Sequence, residues 1–419
     1  MEKKYLFISQ SDLSLEDSNG RTLRDVFNYI NWDKIYTFST SRKNNQLNAS
    51  QTFCINEKLL FKRKKIHRNV SNSSNKISPS KPIKIKKNPL TVFLRGILWS
   101  LSFLHWKHNY KKWLKEINVD YIVFNPGDFI FMHKIAVFSS KITQKKLIIY
   151  NTEDYYFKTW NYLHDERGFK RLYPLFRKHL VRSYNITFKY TNVAFHNTEN
   201  LCDVFKTAFP DVKHFVAYHP TFLKINKKTK TIKSISSFYY SGALDKGRDK
   251  TLLLFANILK DILPSFKIIV NGLASESVIE NIMRADNIIY NGVVPYEKVV
   301  NILKQNTFLL SINSLEKYHA KDKIHGFSTK IADYISSLNL IFHIGVEGGV
   351  ELNTIKKYKL GYVSSTKEQI IHNLNSIVDN LKECVNPFLE NQKKFTDKYL
   401  DYKKVGNMVK EIVENNERK

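Results

Sequence analysis

Short apolar segments alternate with longer helical patterns along most of the chain, and this alternation occurs twice. The first series has its apolar segments at 5–9, 33–38, 121–125, 147–150, 192–196 and 214–218. The second series has them at 238–241, 266–270, 288–290, 308–312 and 340–344. Strands separated by helices of about ten or more residues are joined by crossover connections and therefore pair in parallel. The pattern predicts two doubly wound α/β domains with parallel sheets.

A polar, basic stretch without core periodicity separates the two series at 224–237, and we interpret it as a linker. The expected organisation is an amino-terminal domain over 1–223, a carboxy-terminal domain over 238–385, and terminal helices over 386–419. Doubly wound sheets bind ligands beyond the carboxyl ends of their strands. The cleft between two such domains is therefore the expected site.

The chain is strongly basic, with 67 lysines and arginines against 38 acids and a formal net charge of +29. Segment 58–87 contains many of these cations and no acid, which predicts a basic loop within the first domain. A field of this sign attracts phosphates, whether on nucleotides, lipid head groups or nucleic acid.

A long helix is predicted after the basic loop, over about 90–115. Trp99, Trp106 and Trp113 recur on it every seven residues, so they share one face. Such an aromatic stripe is typical of a face buried in a core. The neighbouring basic loop also allows an interfacial helix that lies on a membrane.

Several motifs of other enzyme classes are absent. The sequence has no GxGxxG, no GxxxxGK[ST], no HExxH, no CxxC and no Asp-x-Asp, and its three cysteines lie far apart. These absences disfavour dehydrogenase, P-loop, metallohydrolase and zinc-site functions. We expect neither a metal nor a cofactor. The first apolar run is too short for a signal peptide, and a cytoplasmic setting is expected.

Three glycine-containing segments of the second half lie at strand ends. Gly242 follows a strand and Arg248 opens the next helix. Ser328 is a candidate N-cap, with Lys330 at the helix start. A pair of glycines precedes Glu351. Backbone N–H groups and cations at such turns suit a diphosphate, although each segment alone is equally typical of a solvated turn.

Taken together over 238–363, these segments resemble bacterial glycosyltransferases of the GT-B fold, especially the retaining group called family four. That fold has two Rossmann-like, doubly wound parallel-sheet domains facing a cleft. The family carries two Glu eight residues apart, and here His325 stands at the first position and Asp333 at the second. The resemblance implies that Asp333 binds the nucleotide ribose and that His325 lies near the transferred sugar as a catalytic residue. The donor-binding residues it implies are Gly242, Arg248, Gly326, Phe327, Ser328, Thr329, Lys330, Asp333 and Glu351.

In the first half, Glu153 and Asp154 follow a strand, where the family often has a histidine at the cleft edge. We expect them to be catalytic, with Glu153 orienting or deprotonating an acceptor hydroxyl. A helix-capping acid pair is the alternative. Asn19, Gly20 and Arg21 lie where the loop after the first strand usually faces the acceptor.

The resemblance implies a metal-independent, retaining transferase that moves a sugar from a nucleotide diphosphate donor to a lipid-linked or oligosaccharide acceptor. Lipopolysaccharide or capsule assembly is the expected setting. The protein is expected in the cytoplasm, bound peripherally to the anionic inner face of the plasma membrane, and without a nucleic-acid partner. Two alternatives remain: a sugar-nucleotide epimerase of the same fold, and a basic nucleic-acid-binding protein with steeply salt-dependent binding.

Overall fold

The computed structural model describes residues 2–11, 13, 18–40, 47, 49–55, 88–163, 170–221, 223, 236–304, 308–316, 319, 321, 324–383 and 386–416. The predicted basic loop 58–87 lies outside the described residues, as does the predicted linker 224–237 except for its last two positions. The chain forms two compact units. The first comprises Met1–Val216 and Val409–Lys419, and the second comprises Ala217–Met408.

The first unit contains a seven-stranded sheet in which every pair of strands is parallel. Its strands are β1 (Tyr5–Ile8), β2 (Ile35–Ser39), β3 (Thr52–Cys54), β4 (Tyr121–Phe124), β5 (Leu147–Asn151), β6 (Thr191–His196) and β7 (Lys213–Val216). Their order is β3-β2-β1-β4-β5-β6-β7, so the direction of winding reverses between β1 and β4.

Among the described residues of the first unit, five α-helices connect these strands. They are α1 (Ser18–Val26), α2 (Pro89–Ile117), α3 (Ile130–Thr143), α4 (Tyr173–Lys189) and α5 (Glu199–Ala208). Helix α2 is the longest, and its start is fixed by a capping box in which Asn88 and Thr91 each accept from the other's backbone amide.

The face of α2 that carries the tryptophans is buried. Trp99, Trp106 and Trp113 are at most 6% exposed. They pack against Phe131 and Phe53, with ring centroids 5.1 Å apart for Trp99 and Phe131 and 5.4 Å for Phe53 and Trp113. The interpretation of this stripe as a core face is therefore confirmed, and the alternative of an interfacial tryptophan face is excluded.

The second unit contains a six-stranded parallel sheet. Its strands are β8 (Ser237–Ser241), β9 (Lys267–Asn271), β10 (Ile288–Tyr290), β11 (Phe308–Ile312), β12 (Leu340–Ile344) and β13 (Tyr362–Ser364). The order β10-β9-β8-β11-β12-β13 reverses between β8 and β11. Every residue of β11 and β12 is buried, as is typical of parallel strands covered by helices on both faces.

Its helices are α6 (Arg248–Ile262), α7 (Glu276–Ile282), α8 (Tyr296–Leu303), α9 (Thr329–Ser336), α10 (Val350–Tyr358), α11 (Lys367–Glu383) and α12 (Leu389–Phe395). A final helix, α13 (Tyr402–Asn415), passes from the second unit into the first. The predicted fold class, two doubly wound parallel α/β sheets, is confirmed. Among the described residues, no helix combines the length and the apolar character needed to cross a membrane.

Candidate functional site

The carboxyl ends of β8 and β11 lie where the strand order of the second unit reverses, which is the position at which doubly wound sheets bind ligands. Strand β8 leads into Gly242, whose φ of +146° favours glycine. Strand β11 leads into Asn313 and Ser314, which are both buried polar residues. This edge therefore combines a glycine turn with polar side chains from the neighbouring strand.

Two glycines bring the ends of β8 and β9 into close contact. The amide of Gly242 donates to the carbonyl of Asn271 at 2.9 Å. A β-carbon on Gly272 would lie 1.8 Å from the carbonyl oxygen of Gly242, so no larger residue fits there. The turn after β8 is consequently bounded by bare backbone on its β9 side.

Two predicted donor-site cations meet around Tyr240 at this turn. The ammonium of Lys330, at the start of α9, lies 4.5 Å from the centre of the Tyr240 ring and 3.4 Å from the place of a β-carbon on Gly242. Arg248, at the start of α6, donates from Nη1 to the carbonyl of Ala243 at 3.3 Å, and the Tyr240 hydroxyl donates to the same carbonyl at 2.8 Å. The structure thus brings Gly242, Arg248 and Lys330 together.

The electrostatics of this turn favour a bound anion. Arg248 is only partly exposed and forms an ion pair with Asp245 at 2.8 Å, which holds the guanidinium near the turn. Burial raises the pKa of Tyr240, and the charge of Arg248 opposes that rise only in part. Tyr240 is therefore a neutral hydroxyl at ordinary pH, and the positive charges beside it come from Arg248 and Lys330.

Glu351 is buried and supports the site from behind. Its Oε2 accepts from the side-chain amide of Asn313 at 2.6 Å, and its Oε1 accepts from the backbone amide of Ser328 at 2.8 Å. The carboxylate, which is 1% exposed, therefore joins the end of β11 to the loop before α9. Both oxygens of Glu351 thus accept from the protein, and its predicted contact with a donor stays a prediction.

Asp333 is held in a similar way. Thr221 donates its hydroxyl to Oδ1 at 3.2 Å, and Tyr296 donates its hydroxyl to Oδ2 at 3.0 Å. The side chain is 3% exposed. The carboxylate thus joins α9 to Thr221 and to the start of α8, and its predicted contact with a ribose stays a prediction.

The rest of the predicted loop lies in the turn before α9 or at its start. Phe327 is buried and packs edge-to-face on Tyr218, with centroids 5.6 Å apart. Gly326 is also buried, whereas His325, Ser328 and Thr329 are half-buried. Ser328 is the N-cap residue of α9, and its carbonyl accepts from the amide of Ile331 at 3.0 Å.

Sequence reasoning missed three residues of this site. The hydroxyl of Tyr334, on α9, accepts from the amide of Ser241 at 3.0 Å and so fastens the helix to the end of β8. Tyr240 supports both cations, and Asn313 positions Glu351. The adjacent tyrosines before the Ser-Gly turn were the available signal for Tyr240, but no local pattern indicates the other two contacts.

The acid pair of the first unit is not placed as expected. Asp154 is fully buried, and its Oδ1 lies 3.1 Å from the Lys158 ammonium. Glu153 is partly exposed, with Oε2 at 3.6 Å from the same ammonium. Lys158 also lies over the rings of Tyr155 and Tyr162. Asp154 is therefore closed off from solvent while Glu153 retains access to it, and the catalytic role of the pair stays a prediction.

The predicted acceptor-side loop is helical. Helix α1 begins at Ser18, so Asn19, Gly20 and Arg21 lie in its first turn and not in the preceding turn. Gly20 and Arg21 are buried, and Asn19 is half-buried. The carbonyl of Ser18 already accepts from the Thr22 hydroxyl at 2.8 Å, as expected inside a helix. The prediction that these three residues lie in the loop after the first strand is therefore wrong.

A chain of polar side chains crosses the carboxyl edge of the first sheet. The side-chain amide of Asn151 donates to His196 Nδ1 at 3.2 Å, so the proton of the neutral His196 ring is on Nε2. His196 Nε2 then donates to His214 Nδ1 at 2.9 Å. His214 Nε2 in turn donates to the carbonyl of Phe209 at 2.9 Å. Burial lowers the pKa of both histidines. Both rings are therefore neutral structural groups.

No protein-family model matches the sequence, and no curated protein matches it. Similarity is found among solved structures. HepE from Anabaena in complex with UDP has a TM-score of 0.62 at 10% identity, over 99% of this chain and 100% of that one. WaaG, a glycosyltransferase involved in lipopolysaccharide biosynthesis, has a TM-score of 0.56 at 14% identity, over 96% and 99%. The lipopolysaccharide outer core galactosyltransferase WaaB has a TM-score of 0.54 at 14% identity, over 96% of this chain and 98% of that one.

The chain has the GT-B fold. The similarity to HepE, WaaG and WaaB extends over both units, because it covers nearly the whole length of each chain. The predicted resemblance is thereby confirmed at the level of the fold. Membership of family four stays a prediction.

Proposed function

We propose that this protein is a glycosyltransferase whose second unit binds a nucleotide diphosphate sugar. The observation that carries the proposal is the meeting of Arg248 and Lys330 around the Gly242 turn, where the strand order reverses. Two cations and a glycine backbone at that position suit a diphosphate. Structures of HepE with UDP and with UDP-glucose, which share the fold, add support for a donor of this class.

In this proposal the two cations act on the departing diphosphate. Negative charge develops on the leaving nucleotide as its bond to the sugar breaks, and positioned cations stabilise that charge. Thr329 contributes its backbone N–H and Ser328 its hydroxyl at the start of α9, where the helix dipole also favours an anion. We propose that this set replaces a metal ion. Glu351 and Asp333 would position the loop and the helix.

The acceptor and the stereochemistry belong to the same proposal. His325 lies beside Gly326 at the start of the donor loop, and we assign it to the transferred sugar, with retention of configuration. Glu153 is the exposed acid of the first unit and is assigned to the acceptor hydroxyl. The acceptor is a lipid-linked or oligosaccharide glycan of lipopolysaccharide or capsule assembly, reached from the cytoplasmic face of the membrane. WaaG and WaaB are lipopolysaccharide enzymes of this fold.

The test is a calorimetric screen of the protein against a panel of nucleotide diphosphate sugars, followed by product analysis with the best binder. Binding that is lost in Lys330→Ala supports the proposal, as does slow donor hydrolysis without an acceptor. A product in which the sugar nucleotide is intact but epimerised would favour the epimerase. Tight, salt-sensitive RNA binding with no donor binding would instead favour a nucleic-acid-binding protein.

A further inference from the structure

The side of α2 opposite the tryptophans carries a continuous row of exposed aliphatic side chains, which we call the leucine face. Successive members are one to three residues apart, so they share one side of the helix. Their exposed fractions run from 40% for Ile97 to 71% for Leu104. The leucine face consists of Leu94, Ile97, Leu98, Leu101 and Leu104. It spans about 15 Å along the helix.

The same side of α2 becomes basic after Leu104. The exposed residues that continue it are His105, His108, Lys111, Lys112 and Lys115, which we call the basic end. The surface of this helix is thus divided along its axis: its amino-terminal half is aliphatic and its carboxy-terminal half is cationic.

Helix α4 extends this surface. It packs against α2, and the rings of Phe93 and His179 lie 6.1 Å apart. Its outer side carries exposed Leu175 together with Lys178 and Arg182. The two helices together contain nine lysines and arginines and a single acid, Glu116. In the sequence, segment 58–87 just before α2 adds further cations and no acid.

A contiguous exposed aliphatic patch beside such a charge imbalance marks an interaction site. The core does not use this face, because Trp99, Trp106 and Trp113 already fill the opposite side of the helix. An occupant must offer both an apolar interior and a dense negative surface. A bilayer rich in anionic phospholipid has both properties, and amphipathic helices with leucines and lysines bind such bilayers in the interfacial plane.

We propose that the leucine face and the basic end of α2 dock the first unit on an anionic bilayer, with the leucines entering the boundary of the acyl chains and the lysines contacting lipid phosphates. Because the apolar and basic halves follow one another along the axis, the amino-terminal half of α2 lies deeper than its carboxy-terminal half. This inference rests on the proposed function only for the purpose of docking, which is to bring the enzyme to a lipid-linked acceptor.

The test is co-sedimentation of the full chain with vesicles of phosphatidylcholine alone or mixed with an equal part of phosphatidylglycerol, at about 0.1 M salt. The wild type is expected to bind the mixed vesicles only. Leu101→Ser with Leu104→Ser should weaken this binding roughly tenfold or more. Lys111→Gln, Lys112→Gln and Lys115→Gln together should weaken it at least as much and flatten its salt dependence.

Matched controls come from the second unit. Met283→Ser removes an exposed apolar side chain, and Lys394→Gln with Lys403→Gln removes exposed cations; both should bind vesicles like the wild type. Unchanged thermal unfolding of the leucine variant is expected, since those side chains lie outside the core. Unchanged donor binding by that variant separates this inference from the proposed function, which fails only if no donor binds.

Three results would overturn the inference. The first is wild-type vesicle binding by the leucine variant. The second is equal binding of the wild type to neutral and anionic vesicles, or to neither. The third is a concentration-dependent dimer that the leucine substitutions dissociate, which would assign the face to a second copy of the chain.

Discussion

Glu351 Oε1 accepts a hydrogen bond from the backbone amide of Ser328 at 2.8 Å, so the first turn of α10 fixes the residue that caps α9. The other oxygen of the same carboxylate holds Asn313 at the end of β11. Lys330 follows Ser328 by two residues. The position of its ammonium over Tyr240 therefore depends on a buried carboxylate in the next helix.

Glu351→Gln tests this dependence. The amide can accept only one of the two hydrogen bonds, so one buried donor loses its partner. The free energy of unfolding should fall by about 1–3 kcal/mol, and donor affinity should fall with it. Chemical denaturation and donor titration measure the two effects. Glu347→Gln is the control, because that side chain is exposed and bonded only at the surface to the Ser365 hydroxyl. Wild-type donor affinity in Glu351→Gln would show that the loop does not need this link.

Arg248→Ala and Lys330→Ala should each remove a charge-assisted contact with the diphosphate, worth about 1.5–3 kcal/mol. The expected loss is roughly ten- to hundredfold in donor affinity or transfer rate. Lys260→Gln changes an exposed lysine paired with Asp286 on the same unit and should have no effect. Normal transfer kinetics in both alanine variants would contradict the donor site proposed here.

Sugar transfer should persist in an excess of chelator, because two positioned cations neutralise the leaving diphosphate in the proposed mechanism. The measurement is the initial rate of transfer or donor hydrolysis before and after chelation. Loss of the rate, with recovery on adding magnesium or manganese, would mean that a metal ion supplies the charge.

Gly272→Ala should destabilise the protein, because its new methyl group would overlap the carbonyl oxygen of Gly242. A cost of about 2–4 kcal/mol in the free energy of unfolding is expected, together with weaker donor binding. Gly96→Ala is a useful contrast. It lies inside α2 with no atom near its β-carbon, so alanine should stabilise the helix by about 0.5–1 kcal/mol. Equal stability of the two variants would contradict the close approach of β8 and β9.

His133 should make stability depend on pH. Burial lowers its pKa to about 4, while an unfolded histidine titrates near 6.5. Below about pH 6.5 the unfolded chain therefore binds a proton that the folded chain does not, and stability falls until the folded pKa is reached. The loss from this residue amounts to about 3 kcal/mol. Unfolding free energies between these two pH values should fall less steeply in His133→Gln than in the wild type.

The strands of both sheets could be predicted because each one is encoded by a short, continuous stretch of the sequence. Strands such as β11 and β12 are buried on both faces and read as continuous apolar runs, so their bounds follow from five residues each. Helix α2 was harder, because both of its sides are apolar over 94–106. Spacing shows that the tryptophans share a face, but only their packing on Phe53 and Phe131 shows which face is inside.

The site could be predicted only in part, for a related reason. Gly242 and Lys330 belong to turns that follow strands, so their approach to one edge follows from the topology. The bond from Asn313 to Glu351 joins residues 38 positions apart, and no local pattern encodes it. The burial of Asp154 did have a local signal, since Lys158 stands four residues later. That spacing indicates an ion pair, and it was a better guide than the acid pair alone.

Helix α13 returns the end of the chain to the first unit, where the carbonyl of Asn416 accepts from the side-chain amide of Asn192 at 2.8 Å and Asn416 Oδ1 accepts from Lys213 at 2.5 Å. During translation the second unit, continuous from Ala217 to Met408, is therefore fully synthesised before the first unit has received its last segment. The segment that packs on β6 and β7 of the first sheet is synthesised only after the whole second unit. A chain that stalls or is cleaved after Met408 would contain the whole second unit, but its first unit would lack the contacts of Asn416 with β6 and β7.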